Sequence, residues 1–499
     1  MKPEFNSRRL FGITRSKGKM YELSLAEELH ISVPENSEPR ELFLLAVGTL
    51  GDVAATLSDA EDVDAPLPPA AIEELSFSAS FFDAFLESRF ASDISRDTAL
   101  LAASAYYLAR RPGSSLVLAR QLVDDPDDPV VDELLSWVLQ AKWTNYPDGE
   151  HPLFGTELTN LARLLAFHFH DGSGFLEMTA VLKNVKRIAY EGGSARDLLF
   201  LDIIAAIVRM RLAASAWTTL PGFTGIPAER WAPVIRRSEF PKELWPSQIL
   251  LGKAGMFTGA SGIIQMPTSA GKTRSVEIIL RSGFLSGRTK LAVVVAPFRA
   301  LCHEIGTSLR HAFRNDDVKV NELSDAMQLD FLEQVAELFG SEAPASKYIL
   351  VLTPEKLLYV LRQAPSLVHH IGIVVYDEGH QFDTGSRGII YELLLTEIKA
   401  LLPADAQTVL VSAVIQNAKA IGEWLIGEGA QVVNGSGLLP TARSVAFASW
   451  IEQRGQLMFF DSGSYDKLDY FVPRVIEQKT LAPKPRERVD RFFPEKDES

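Results

Sequence analysis

The residues best suited to chemistry lie in one stretch, GIIQMPTSAGKTRSVEIIL, from Gly262 to Leu280. A short apolar run leads into Met266-Pro267-Thr268-Ser269-Ala270-Gly271-Lys272-Thr273, and an amphipathic segment follows at once. A strand, a small-residue loop and a helix opening at a lysine form the setting of a phosphate-binding loop. Gly271 lets the backbone approach a phosphate without a Cβ between them, and the amides at the helix start attract anionic oxygens. Lys272 is placed to reach β- and γ-phosphates, and Thr273 to supply a magnesium ligand. Met266 departs from the generic pattern by standing where its first glycine would be.

A second stretch, IGIVVYDEGH, puts Asp377 and Glu378 at the end of an apolar strand. Open α/β sheets bind ligands beyond the carboxyl ends of their strands. Asp377 is positioned to hold Mg2+ through water, and Glu378 to orient or deprotonate an attacking water. Adjacent carboxylates would then have separate tasks.

These loops need a scaffold, and the pattern beyond about Phe240 supplies one. Strands GIIQM, KLAVVVA, YILVL, IGIVVY and TVLVS alternate with amphipathic segments, as in a parallel sheet covered on both faces. Residues 240–440 therefore read as one doubly wound α/β domain. Residues 1–239 show apolar residues at three- and four-residue spacing, broken by RPGS, DDPDDP and DGSG, and read as an all-α helical domain. Residues 441–499 show one strand, GQLMFF, and a Pro/Lys/Arg-rich end, and read as a linker.

In sequence and order these motifs resemble the superfamily 2 DExH-box helicases, in particular the Ski-like branch. PTSAGKT resembles motif I, APFRALCHE (Ala296 to Glu304) motif Ia, TPEKL (Thr353 to Leu357) motif Ib, DEGH (Asp377 to His380) motif II and SAV (Ser412 to Val414) motif III. LWPSQ, ending in Gln248, resembles the glutamine that reads adenine in many such proteins. The resemblance spans roughly Phe240 to Pro440 and implies a RecA-like lobe using ATP and Mg2+ on a single-stranded DNA or RNA track.

The resemblance implies Lys272, Asp377, Glu378 and His380 as the catalytic group, with Thr273 and Asp377 at the metal. Gln248 and the loop from Pro267, Thr268, Ser269 and Ala270 to Gly271, Lys272 and Thr273 would hold the nucleotide. Arg299, Thr353 and Pro354 would meet the strand backbone, although Thr353 reads equally as a helix N-cap.

Two departures qualify these implications. Val414 replaces the usual threonine of motif III, which bears on coupling between hydrolysis and strand separation. A second RecA-like lobe, expected in cis or in trans, would bring an arginine worth 10³–10⁵ in phosphoryl-transfer rate. This chain alone is therefore expected to bind ATP and hydrolyse it poorly, as part of a longer helicase or beside a partner. The alternatives are a non-catalytic ATP-binding scaffold that docks a partner, and a small-molecule P-loop kinase or transporter ATPase, which leaves APFRAL and TPEKL unexplained. A long helical region ahead of the motor also resembles the layout of Hachiman-type antiphage defence helicases, and it could carry an effector or partner protein. That likeness is one of layout, since residues 1–240 carry no motif.

Composition is compatible with these expectations. An apolar fraction of 46% with 23% charged residues is that of a folded globular chain. One cysteine, Cys302, excludes an intrachain disulfide framework and a Cys-rich zinc site, and reads as packing. The net charge is −14, yet residues 241–300 hold 8 Lys/Arg against 2 Asp/Glu, a local basic surface that can grip phosphates. The apolar segment Leu198 to Trp217 contains Asp202, Arg209 and Arg211, which argues against a membrane span, and a cytoplasmic location is expected. His168 and His170 read as surface or packed residues rather than metal ligands, and Asp124 to Pro129 as a capping turn.

Overall fold

The computed structural model describes residues 5–32, 39–60, 67–90, 94–123, 128–322, 346–363, 365–380, 385–413, 415–428, 430–451, 454–461 and 464–477. Val414, Asp124 to Asp127 and the Pro/Lys/Arg-rich C-terminal end lie outside the described residues. Up to residue 240 the elements of the described residues are mainly α-helices: α1 (Phe5–Glu22), α2 (Pro39–Asp59), α3 (Pro69–Ser88), α4 (Ser95–Leu108), α5 (Pro112–Ala119), α6 (Val130–Gln140), α7 (Glu157–Asp171), α8 (Phe175–Gly192), α9 (Ala195–Ala213), α10 (Ala216–Thr224) and α11 (Ala228–Ile235). Strands and helices then alternate: α12 (Pro246–Lys253), β1 (Gly262–Gln265), α13 (Lys272–Ser286), β2 (Leu291–Val295), α14 (Arg299–Phe313), β3 (Val318–Glu322), β4 (Lys347–Leu352), α15 (Pro354–Gln363), β5 (Ile371–Tyr376), α16 (Gly385–Leu401), β6 (Gln407–Ser412), α17 (Ala418–Leu425) and β7 (Gln431–Asn434). Three further strands follow, β8 (Val445–Ile451), β9 (Arg454–Asp461) and β10 (Ser464–Glu477).

Contacts divide the chain into two compact units, residues 1–50, 69–102 and 443–499 in one and residues 51–68 and 103–442 in the other. In the first unit β8, β9 and β10 form an antiparallel sheet in the order β10-β9-β8. Met20 of α1 joins Phe459, Tyr470 and Val472 in its core, where the Phe459 and Tyr470 rings stack at 4.5 Å. Arg15 lies 4.4 Å from the Tyr470 ring and pairs with Asp469. Where the sequence shows one strand, three form. β8 and β10 keep large apolar residues such as Phe447 and Leu468 exposed, so neither reads as a buried run.

In the second unit seven strands form one wholly parallel sheet in the order β3-β4-β2-β5-β6-β1-β7. Alternate residues feed opposite faces, as the two-residue period of a strand requires. Ile264, Ala292, Val294, Val375 and Val411 join the core under α13 and α14, while Ile263, Val293, Val295, Val374 and Leu410 join the one under α15, α16 and α17. The expected RecA-like α/β lobe, preceded by a helical region, is the observed architecture. The edge strands β3 and β7 are missing from the sequence reading because an edge strand is buried on few sides. Three of the four β7 residues are exposed, and β3 is the polar VKVNE.

The apolar segment containing Asp202 and Arg211 is α9, a core helix. A reciprocal capping box opens it, with Ser194 and Asp197 each serving the other's backbone amide. Asp202 accepts from Tyr190 at 2.7 Å and pairs with Lys186 at 3.2 Å, while Arg209 donates to the Ser58 and Ala60 carbonyls. By length and hydropathy α2 could cross a membrane, but it buries one stripe, Leu42, Ala46, Leu50, Ala54 and Leu57, at helical spacing.

Candidate nucleotide site

The P-loop leaves β1, passes through a 3-10 turn at Thr268–Ala270 and enters α13 at Lys272. Gly271 has φ +81°, a left-handed conformation that a side chain would strain, so the glycine sets the turn that aims the first amides of α13 outward. Met266 is fully buried; its amide donates to the Ser412 carbonyl at 3.0 Å and its side chain packs on Gly435. It therefore ties the start of the loop to β6 and fills core space where the generic loop has a glycine.

Two side chains of α12 brace the loop from behind. Ser247 Oγ donates to the Ala270 carbonyl at 2.6 Å. Gln248 Nε2 donates to the Gly271 carbonyl at 3.4 Å, and its Oε1 accepts from the Trp245 amide at 2.7 Å. Gln248 is only 4% exposed, so its amide is spent on backbone groups in this conformation. Ser247 escapes the sequence reading because a serine in the first turn of a helix carries no distinguishing pattern.

Opposite the loop, the turn after β5 carries the acidic pair. The Asp377 amide donates to the Val295 carbonyl at 2.8 Å, and the Glu378 amide to Asp377 Oδ1 at 2.9 Å. Glu378 has φ +53°, uncommon for a non-glycine residue and a form of strain often found at functional sites. At Gly379 a Cβ would fall 2.4 Å from Leu410 Cδ2, so only glycine lets this turn lie against β6.

The side chains converge. Lys272 Nζ is 3.3 Å from Glu378 Oε1, Glu378 Oε2 is 3.1 Å from His380 Nδ1, and His380 Nδ1 is 3.5 Å from Ser412 Oγ. Burial raises the Asp377 carboxyl above the usual carboxylate range, against the opposing pull of the Glu378 N–H. Tyr391 of α16, absent from the sequence reading, is buried beside this pair. Burial and then the charge of Asp377 push its phenol up.

The remaining expected residues occupy neighbouring strand ends. Arg299 opens α14 after β2 and is exposed. Thr353 and Pro354, at the junction of β4 and α15, are buried, and the Thr353 carbonyl accepts the Leu357 amide at 2.9 Å as the first bond of that helix. The structure thus joins Lys272, Glu378, His380 and Ser412 directly, and sets Arg299 and Thr353 on the same carboxyl edge of the sheet.

Elsewhere the structure follows the packing interpretations. His168 is buried with Nε2 3.0 Å from Ser215 Oγ, His170 pairs with Asp171, and Cys302 is buried in α14. No group of three or more potential metal ligands occurs among the described residues.

Residues 246–421 match the DEAD/DEAH box helicase family. The Hachiman protein HamB of Bacillus cereus is 27% identical over 234 residues, which cover 46% of this chain and 20% of that protein. The ATP-dependent DNA helicase Hel308 of Thermococcus kodakarensis is 28% identical over 228 residues, 45% of this chain and 18% of that protein. The chain thus spans about a fifth of the length of these curated relatives. Among solved structures, the DUF1998 helicase MrfA bound to DNA and AMPPNP aligns with 42% of this chain and 29% of its own at 21% identity and a TM-score of 0.35. Cas3 of T. fusca with ATP aligns with 95% and 55% at 14% identity and a TM-score of 0.27. The stretch that matches the DEAD/DEAH box helicase family, residues 246–421, thus includes both the P-loop after β1 and the DEGH turn after β5, at the same carboxyl edge of the parallel sheet.

Proposed function

We propose that this chain carries the first motor lobe of an ATP-driven, DExH-type helicase or translocase acting on DNA or RNA. The observation that carries the reading is the meeting of Lys272, Glu378, His380 and Ser412 across three strand ends, within 3.5 Å from each residue to the next. In this reading Lys272 exchanges Glu378 for the phosphates, and Glu378, so released, orients the attacking water. His380, between Glu378 and Ser412, relays the state of the site towards the nucleic-acid edge.

Thr273 and Asp377 adjoin the contacting pair Lys272 and Glu378, and offer a hydroxyl and a carboxylate, hard oxygen donors that suit Mg2+. The metal would neutralise charge developing on the transferred phosphoryl group. Arg299, exposed at the first turn of α14, would meet a strand phosphate. Thr353 and Pro354 would contribute through the backbone of the α15 start, since their side chains are buried. A second RecA-like lobe, in cis or in trans, would add the arginine that hydrolysis requires. A role in antiphage defence, with a partner on the helical region, draws support from the similarity to Hachiman protein HamB.

The test is ATP binding to the 499-residue chain with Mg2+, with and without single-stranded DNA or RNA, beside Lys272→Ala. Binding that disappears in Lys272→Ala, with little turnover in the parent, is the expected result. A parent that binds no nucleotide overturns the motor reading in favour of a docking scaffold.

A further inference from the structure

The strand-like segment that leads into α12 is anchored in the helical region by an ion pair with the buried Arg211. Glu243 Oε1 is 2.7 Å from Arg211 of α9, and Glu243 Oε2 accepts from the Tyr107 hydroxyl of α4 at 3.0 Å. Arg211 is 2% exposed and its guanidinium lies 4.4 Å from the Tyr107 ring. The Arg211 Nη2 also donates to the Leu139 carbonyl of α6 at 3.1 Å. A short antiparallel bridge completes the anchor, with the Ala216 amide bonded to the Lys242 carbonyl and the Leu244 amide to the Ala214 carbonyl, both at 2.8 Å.

A partly buried carboxylate held at both oxygens fixes the backbone that bears it, because moving it would leave the buried Arg211 guanidinium uncompensated. Two residues on, the Trp245 amide fixes Gln248, and Gln248 and Ser247 hold the carbonyls of Gly271 and Ala270. A series of hydrogen bonds and ion pairs, joined by the backbone from Glu243 to Trp245, therefore runs from α4 and α9 to the phosphate-binding loop.

We infer that Tyr107, Arg211 and Glu243 are positioning residues through which the helical region sets the P-loop for nucleotide. This rests on the motor reading above, and it makes the helical region a working part of the nucleotide site. Loosening the anchor lets α12 and the loop carbonyls shift, so that the amides at the start of α13 lose their fixed aim at a phosphate.

The test uses the full chain with Tyr107→Phe, which keeps the ring and removes one hydrogen bond, and Glu243→Gln as a second variant. Each is measured for affinity towards a fluorescent ATP analogue, for melting temperature, and for amide hydrogen exchange over residues 266–275. Tyr107→Phe is expected to weaken nucleotide binding about tenfold and to speed exchange in the loop. Combined with Gln248→Ala it adds little further loss, because both act along one line of contacts. Losses that simply multiply, or a lowered melting temperature with unchanged affinity and loop exchange, overturn the inference. A parent that binds no nucleotide defeats the motor reading alone, since loop exchange still reports on the anchor. Unchanged exchange in both variants then overturns the inference separately.

Discussion

Lys272 of the P-loop and Glu378 of the DEGH turn form an ion pair at 3.3 Å, both largely buried. In this conformation Glu378 neutralises the lysine that the proposed nucleotide would engage. In the proposed motor a bound phosphate would draw Lys272 away from Glu378, and the pair would compete with the ligand.

Glu378→Gln removes that competition while keeping the shape of the side chain. It is expected to tighten ATP binding several-fold, on the order of 1 kcal/mol for a partly exposed pair, and to abolish turnover of the assembled motor. A fluorescent nucleotide titration of parent and variant decides it, and weaker binding in the variant would contradict the competition.

Arg281 of α13 is 3% exposed and pairs with both Glu277 and Asp316 at 2.8 Å, with its guanidinium 4.2 Å from the Phe313 ring. Arg281→Ala leaves the buried Glu277 with the partly exposed Arg274 as its remaining partner. A loss of about 3–5 kcal/mol is expected in urea unfolding. A loss below about 1 kcal/mol would mean that the network is replaceable by water.

Burial lowers the pKa of His168 below its ordinary 6.5, so the folded chain holds the imidazole neutral. The unfolded chain binds the proton first as pH falls, so this contribution is complete above 6.5 and is lost below it. His168→Gln keeps a polar group for Ser215 and does not titrate. The stability difference between parent and variant should therefore shrink or reverse between about pH 7 and 5 in denaturant melts. A difference independent of pH would show that His168 titrates alike in both states.

Arg299 is exposed at the start of α14 on the same sheet edge as the ion pair. Arg299→Ala should weaken single-strand binding and reduce its salt dependence by about one ion per log unit, with ATP affinity unchanged. Anisotropy titrations across a salt series measure both quantities. An unchanged slope would exclude a phosphate contact at this residue.

The sequence by itself determined the α/β lobe and the strand ends at which its candidate site residues fall. Nearly continuous apolar strands such as Leu291–Val295 admit only a sheet covered on both faces, and loops such as SAGKT and DEGH must then fall at strand ends. What the tertiary structure decided is who touches whom. No spacing rule indicates that Gln248 turns to Gly271 and Trp245, that Met266 fills the core beside Gly435, or that Tyr107 and Arg211 share the carboxylate of Glu243. Those partners are far apart in the chain, and local propensity contains no term for contacts that form only when distant elements pack. Edge strands such as β7, and the exposed faces of β8 and β10, stay hidden for a related reason. Their pairing is made by backbone hydrogen bonds, to which side-chain pattern contributes little.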